Sequence, residues 1–382
     1  MAPPSLLIAA FSGRALAASA RRAGFTPLVV DCFGDEDTRG LAERLIALPA
    51  RVQTGFRPRP LLDALATLAA HAPSPIAGLV LGSGFECSPS LVARLTARFR
   101  LLGCDAHAIR RAKSPQALFG LLDRLAIAHP ETRGTPPTDP DGWLMKRIGG
   151  SGGLHVVPCP AAPRPDPRRY FQRRVPGEAI SMGAIAHEGG ITVAGLSRQW
   201  ASPLPRRPYR YGGAVTLTSP DASLAQRLTA IAEAVSRQLD LVGLVSFDFL
   251  VSDGTPSLIE INPRPGATLD ILDDADGWLL SAHIAACLGG ALPARSASPD
   301  PPARAAAILY ADRGPLTIGS VTWPAWLADR PMPGTRVETR QPLASVTAER
   351  ATPAAAECLC HERVEAAADM LYGHGPGKET QQ

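Results

Sequence analysis

No two CxxC pairs stand at zinc-site spacing in this sequence, no long run of basic residues interrupts it, and no apolar stretch approaches the length of a bilayer. Each absence excludes something. The seven cysteines (Cys32, Cys87, Cys104, Cys159, Cys287, Cys358 and Cys360) are scattered, so a four-ligand structural zinc site is not encoded. Cys358-Leu359-Cys360 reads as two buried or half-buried structural thiols, or else as a redox or metal pair. A net charge of +4 over 382 residues, without a basic cluster, does not suggest nucleic-acid binding, though a mild positive balance fits anionic small substrates. The opening MAPPSLLIAAF has no basic region ahead of a short apolar run, so a signal peptide is not expected. With no membrane-length span either, the expected location is the cytoplasm, with reduced thiols and neither membrane nor nucleic acid as partner. Lysine is scarce. The hydrophobic share of 45% and the charged share of 19% are ordinary for a globular chain, and the length allows two or three domains.

The first residues pattern as strand, helix, strand: Ser5–Ala10 apolar, Arg14–Ala23 rich in alanine and stopped by Gly24, then Phe25–Val30. This is a parallel βαβ unit. Only Gly13 follows the first strand, so the GxGxxG dinucleotide fingerprint is missing and Asp31 reads as a loop cap. Helices are expected at Leu41–Leu48, Pro60–His71 and Pro89–Phe99, and a buried strand at Ile76–Leu81. That strand runs into Gly82-Ser83-Gly84-Phe85-Glu86, which is either a substrate-contacting loop at a strand's carboxyl end or a plain turn. Ser114 and Pro115 supply an N-cap and a first helical residue directly after Lys113. Further on come strands at Tyr170–Val175, Ala179–His187 and Ile191–Arg198, a polar loop at Tyr209–Gly213 and an amphipathic helix at Ser223–Leu239. Leu269–Leu288 reads as helical and Pro293–Pro302 as a linker. Strands are expected at Ala305–Ala311 and Val337–Thr339, helix at Glu362–Leu371, and disorder in the tail Gly373–Gln382.

Two stretches carry chemistry. The first is SFDFLVSDGTPSLIEINPRP, Ser246 to Pro265. Val245, Phe247, Phe249 and Val251 alternate with polar neighbours, Asp253-Gly254 makes the turn, and Leu258, Ile259 and Ile261 carry the return strand. Asp248 and Glu260 flank the turn, with Asn262 two residues beyond and Arg264 two more. Two carboxylates and an amide oxygen on one face suit a hard divalent cation, and an arginine beside them suits a phosphate; the alternative is a solvated hairpin bearing surface acids. The second stretch is the strand Trp143–Ile148 followed by Gly149-Gly150-Ser151-Gly152-Gly153 and Leu154–Val157. Glycines let backbone N–H groups approach phosphate oxygens, and Lys146 precedes them as a point charge. A mobile surface turn is the competing reading. His155 reads as a loop histidine or as an aid to proton transfer.

Taken in order, Lys113, Lys146 with its glycine hairpin, Pro176-Gly177-Glu178 and Asp248…Glu260-x-Asn262-x-Arg264 resemble the ATP-grasp superfamily over roughly residues 1–372. FDFLVSDGTPSLIEINPRP is the strongest part and is similar to segments of biotin carboxylase, carbamoyl phosphate synthetase and D-alanine–D-alanine ligase. The GSGFE loop and the short C-terminal region look closer to ATP-dependent carboligases found beside tetrahydromethanopterin- and methylofuran-linked C1-metabolism genes of methylotrophs. The resemblance implies an α/β (α+β) fold in three parts: a Rossmann-like pre-ATP-grasp domain at 1–104, an ATP-grasp domain at 105–292, and a small α+β region at 303–372. It implies Lys113 and Lys146 on ATP phosphates, and Gly149, Gly150, Ser151, Gly152 and Gly153 as a lid. Gln172, Arg173, Arg174 and Val175 would lie along the adenine and Glu178 on the ribose. Asp248, Glu260 and Asn262 would hold Mg²⁺, or Mn²⁺ in its place, and Arg264 would steady the transferring phosphoryl group. Three features depart from the pattern: Arg173 stands where a hinge glutamate is common, Ala179 rather than Glu178 occupies the aligned ribose position, and Ser246 replaces an arginine two residues before the metal aspartate. The implied activity joins a small-molecule carboxylate to an amine through an acylphosphate, in the building of a C1 carrier, with a homodimer as the expected assembly. The alternatives are a kinase- or carboxylase-type phosphotransfer without amide formation, and a nucleotide-binding protein without turnover.

Overall fold

The structure is a computed structural model and describes residues 2–51, 53–296 and 300–373. The expected disordered tail lies, beyond Gly373, outside the described residues, as do residues 297–299 of the expected linker.

The first segment runs β1(Ser5–Ala9), α1(Arg14–Arg22), β2(Thr26–Asp31), α2(Glu36–Leu41), β3(Arg44–Ala47), a small hairpin β4(Ala50–Arg51) and β5(Gly55–Phe56), α3(Pro58–Ala70), β6(Ile76–Leu81), α4(Pro89–Thr96) and β7(Leu101–Leu102). Five strands form a parallel sheet in the order β3-β2-β1-β6-β7. β1 and β2 are buried throughout, as expected for strands covered on both faces, which explains their unbroken apolar composition. The chain direction across the sheet reverses between β1 and β6, so a crevice opens at their carboxyl ends, beside Phe11–Gly13 and the GSGFE loop. One expectation fails here. Leu41–Leu48 is not a helix: Asp35 caps a short α2, its carboxylate accepting from the Thr38 amide at 2.8 Å, and the following residues pair with the open edge of β2 as β3. An available ladder edge overrides local helix propensity.

The next segment contains α5(Ala106–Lys113), α6(Pro115–Arg124), β8(Thr132–Arg133), β9(Trp143–Arg147), β10(Val157–Pro158) and β11(Arg169–Arg173), the strands forming an antiparallel sheet in the order β10-β9-β11-β8. Helix α5 ends at Lys113, and Ser114 turns the chain while its hydroxyl accepts from the Ala117 amide to cap α6. The third segment contains β12(Glu178–His187), β13(Gly190–Ala201), β14(Tyr211–Thr216), α7(Ala222–Leu239), β15(Gly243–Ser252) and β16(Thr255–Asn262), then α8(Leu269–Leu272) and α9(Trp278–Cys287). Last come β17(Ala303–Tyr310), β18(Leu316–Thr317), β19(Leu327–Ala328), β20(Arg336–Val337), β21(Pro342–Arg350) and α10(Pro353–Tyr372). One antiparallel sheet, β16-β15-β12-β13-β14-β17-β21-β19, runs through both of these segments. Tyr211–Gly213, expected as part of a loop, belong to β14; a methyl group on Gly213 would lie 2.3 Å from the Trp200 indole, so glycine here lets that ring lie against the strand. In α10 Cys360 is buried, but Cys358 is exposed, contrary to the expectation for that pair.

The core explains the hairpin's patterning. Phe247, Phe249, Leu258 and Ile261 are fully buried and share a cluster with Leu228, Ala232, Val235 and Leu239 of α7. Buried His283 in α9 ties the parallel sheet to the large one. Its Nδ1 accepts from the Leu244 amide of β15 at 2.7 Å, and its Nε2 donates to the Leu102 carbonyl of β7 at 3.0 Å. Gly243 makes room for the ring, since a methyl group there would lie 2.4 Å from Nδ1.

Candidate active site

Antiparallel pairing sets the chemistry of the hairpin. In register, Asp248 faces Glu260 and Ser246 faces Asn262 across β15 and β16. Paired residues project to the same face, so the oxygens converge without help from distant chain. Asn262 Nδ2 donates to Asp248 Oδ2 at 2.9 Å, and the Ser181 hydroxyl of β12 donates to Asp248 Oδ1 at 2.6 Å. Burial, then the facing Glu260, pushes the Asp248 carboxyl up, with Ser181 opposing. Burial also disfavours the Glu260 carboxylate, but Lys113 outweighs it, with help from His155 and Lys146, and holds it below the usual range.

The chain has three lysines, and two of them enter this centre. Lys113, at the end of α5, donates to Glu260 Oε1 at 2.6 Å and to Asn262 Oδ1 at 2.8 Å. Lys146 is buried on β9 and donates to Gln172 Oε1 at 2.5 Å, while Gln172 Nε2 donates to the Thr132 hydroxyl. Burial lowers the Lys146 pKa, with Glu260 and Asp248 opposing. The third cation, Arg264, donates through Nε to Glu86 Oε1 at 2.7 Å and through Nη1 to the Pro265 carbonyl. Glu86 is itself fixed: its Oε2 accepts from the Gly84 and Phe85 amides at 2.9 and 3.0 Å. Burial disfavours its charge, yet Arg264 and then Lys113 keep its carboxyl low. The GSGFE loop is therefore joined to the hairpin by a buried ion pair.

The glycine loop lies over this centre, and its composition has a steric cause. A methyl group on Gly149 would lie 2.7 Å from the Glu86 carbonyl oxygen and from Cys87 Cα; on Gly150, 2.3 Å from the His155 ring; on Gly153, 1.6 Å from the Tyr209 carbonyl oxygen. The Tyr211 amide donates to the Gly152 carbonyl at 3.0 Å, and His155 Nδ1 donates to the Ser151 carbonyl at 3.3 Å. Thus the loop touches the parallel sheet's Glu86–Cys87 turn on one side and the entry to β14 on the other. Burial depresses the His155 pKa, with the Glu260 carboxylate opposing. Lys113, Gly149, Gly150, His155, Tyr170 and Glu260 bound a cleft beneath the loop.

The remaining expected residues lie farther out. Arg173 and Arg174 are exposed: Arg173 donates to the Asp141 carbonyl and packs over Trp143, and the Arg174 amide donates to the Gly142 carbonyl. Val175 is half-buried in the link to β12. Glu178 is exposed and pairs with Arg198, and strand alternation sets it with Ile180 on the face opposite Ser181. Ser181 and Glu86 are the polar partners that sequence reading did not assign. Ser181 carried no signal, whereas Glu86 had one in its place at the carboxyl end of a parallel strand.

The donor set of Asp248, Glu260 and Asn262 is all oxygen, as Mg²⁺ prefers, and the Lys113 ammonium already rests on two of these residues as a resident cation. The residues thus fit a divalent ion. Among the described residues no group of three His, Cys, Asp or Glu gathers for a metal, so the Asn262 amide oxygen is needed to complete this set.

The family model described as an ATP-grasp domain matches residues 117–268, from α6 to just beyond Arg264. The chain superposes on the L-amino acid ligase of Bacillus licheniformis with a TM-score of 0.66 at 12% identity, covering 96% of this chain and 98% of that one. The fold is ATP-grasp. Two further ATP-grasp comparisons agree. The ADP complex of purK, an N5-carboxyaminoimidazole ribonucleotide synthetase, gives a TM-score of 0.65 at 14% identity, covering 97% of this chain and 98% of that one. The biotin carboxylase domain of Hydrogenobacter thermophilus 2-oxoglutarate carboxylase, in complex with MgADP, ADP and bicarbonate, gives 0.69 at 11% identity, covering 97% and 90%. Among curated sequences, the chain is 28% identical over 281 residues to a Mycobacterium tuberculosis protein named provisionally for DNA processing, DprA. That alignment covers 73% of this chain, and the chain spans 62% of the length of the curated relatives it matches. Among the described residues no helix is long and apolar enough to cross a membrane.

Proposed function

We propose that this chain is an ATP-dependent ligase that joins a small-molecule carboxylate to an amine through an acylphosphate, releasing ADP and phosphate. The observation that carries the reading is the oxygen set of Asp248, Glu260 and Asn262 beside the glycine loop, with Lys113 bonded to two of its members and two more cations nearby, Lys146 on Gln172 and Arg264 on Glu86. A carboxylate is a poor acyl donor because oxide is a poor leaving group. Its oxygen attacks the γ-phosphorus, the bond to the β-phosphate oxygen breaks, and ADP leaves. The amine nitrogen then attacks the acyl carbon, phosphate departs with the C–O electron pair, and the amine loses a proton.

Asp248, Glu260 and Asn262 would hold Mg²⁺, which would supply Lewis-acid neutralisation of the phosphates. The protein's own groups do the rest by position and charge. Lys146 is a buried cation held by a neutral amide oxygen, and a phosphate oxygen would give it the anionic partner that Gln172 cannot. Arg264, held through Nε by Glu86, keeps Nη2 for the transferring group. The glycine loop, Gly149 to Gly153, excludes water and offers backbone N–H groups. In this reading residues 172–175, the end of β11 and the link to β12, border the adenine, and the polar loop ahead of β14 borders the acceptor.

A second reading, carboxylase-type phosphotransfer with bicarbonate as the acid, is favoured by the likeness to biotin carboxylase domains. Product analysis separates the two: an amide for the first, a carboxylated or phosphorylated product for the second. The test is an ADP-release screen across amino acids and precursors of C1 carriers, the latter included because of the carboligase resemblance. Asp248→Asn is expected to lower ADP release by about 100-fold or more. Unchanged release in that variant sinks the metal assignment.

A further inference from the structure

Lys113 does something that its expected place on a phosphate does not explain. Its ammonium sits on Glu260 Oε1 and Asn262 Oδ1 at once, and its side chain is only 6% exposed. Both contacts are to residues proposed as metal ligands, so the lysine spends donor atoms that an ion would need. We infer that Lys113 is a resident counter-cation that makes metal entry conditional on nucleotide. Without nucleotide, Lys113 neutralises the carboxylate pair and occupies two ligands, so a bare divalent cation meets a repelling charge and an incomplete donor set. The phosphates arrive with charge enough to draw the ammonium away, and Glu260 and Asn262 then turn to the ion carried with them.

The fold favours such an exchange. Lys113 is the last residue of α5, where Ser114 breaks the helix before α6, and its stem borders the cleft beneath Gly149 and Gly150. A side chain at that junction shifts from hairpin to cleft by rotation about its own bonds, without movement of either helix. The nearby fixed cations do not play this part. Arg264 is taken by Glu86, and Lys146 by Gln172, neither of which belongs to the donor set. Lys113 is thus the cation whose release frees the ligands.

The inference rests on the proposed metal and nucleotide site, and the test separates the two. Mn²⁺ binding to the full chain is measured without nucleotide by electron paramagnetic resonance, for wild type, Lys113→Gln, Lys113→Met and Lys113→Arg. Binding of a nonhydrolysable MgATP analogue is measured in parallel by calorimetry, and circular dichroism checks each fold. Lys113→Gln and Lys113→Met are expected to bind Mn²⁺ alone at least tenfold more tightly than wild type and the Mg-nucleotide at least tenfold more weakly. Lys113→Arg, which keeps the charge, stays near wild type for Mn²⁺ alone. A purely structural lysine would weaken both affinities on removal. Mn²⁺ affinity that is unchanged or weaker in a folded neutral variant overturns the inference while leaving the nucleotide site standing. Should no form bind Mn²⁺ even with the analogue present, the inference and the metal assignment fall together. Two neutral variants are included so that loss of fold in one still leaves a reading from the other.

Discussion

His283 sets a measurable pH limit on the assembly that holds the site together. The ring is fully buried, accepts the Leu244 amide at Nδ1 and donates to Leu102 from Nε2, so the native fold holds it neutral. Burial lowers its pKa from the ordinary 6.5 to about 4, with the Leu102 carbonyl opposing. The sign follows from linkage. The unfolded chain takes up a proton as pH drops through 6.5, while the folded chain resists until about pH 4. The stability held by the neutral ring is therefore complete above pH 6.5 and is lost as pH falls towards 4. At about 1.4 kcal/mol per unit, the loss is on the order of 3 kcal/mol. His283→Gln keeps polar atoms but cannot titrate. Urea unfolding of both proteins at pH 7 and pH 4 removes the contribution of every other group by subtraction. Wild type is expected to lose about 3 kcal/mol relative to the variant between these two pH values. A difference between the two proteins that stays constant to within about 0.5 kcal/mol would refute a dehydrated ring at this junction.

Two other perturbations probe the site's construction. Arg264→Met strands the buried Glu86 carboxylate and should destabilise the chain by about 3 kcal/mol or more in urea. Adding Glu86→Gln to that variant should recover part of the loss, and strictly additive effects would mean that the pair does not interact. Gly153→Ala forces a methyl group into the Tyr209 carbonyl, whereas Gly152→Ala, at a similar positive φ, meets nothing within 4 Å. The first should expose the Tyr211 amide to faster hydrogen exchange and lower ADP release by about tenfold. The second should do much less on both measures, and equal behaviour would assign the effect to backbone strain instead of the contact.

The hairpin was legible because its information is local. A period-two pattern and an Asp-Gly turn are sufficient for the hairpin but not for its register at the site: Asp248 stands five residues before Asp253 and Glu260 six after Gly254, and a register shift between Asp248 and Phe249 brings the two acids opposite each other. The helix α7 was legible for the same reason: its apolar stripe repeats at helical spacing and packs on that hairpin. Where local preference and tertiary pairing disagreed, the sequence misled. Residues 44–47 have a composition that suits a helix, yet the free edge of β2 recruits them as β3. Tyr211-Gly212-Gly213 looks like a loop because glycine is weak in strands, but the Trp200 indole requires those glycines at the strand's surface.

Partners that lie far apart in sequence show a different limit. Glu86 and Arg264 are 178 residues apart, and although each was marked separately, the acid in a strand-end loop and the arginine as a phosphate contact, nothing in the sequence pairs them. What joins them is the stacking of two sheets, fixed by contacts such as His283 between β7 and β15. The strand-end rule did mark the region, because the GSGFE loop sits where the parallel sheet reverses its order. It could not say which cation the glutamate would meet. On the other side of the site the legible feature was Lys146, just ahead of a glycine run. Lys113 and Lys146 are both buried, the first on Glu260 and Asn262 and the second on Gln172. Burial is not reserved for lysine: Arg14 and Arg210 are buried too, each against a carboxylate, so what marks Lys113 is its hold on two prospective metal ligands at once.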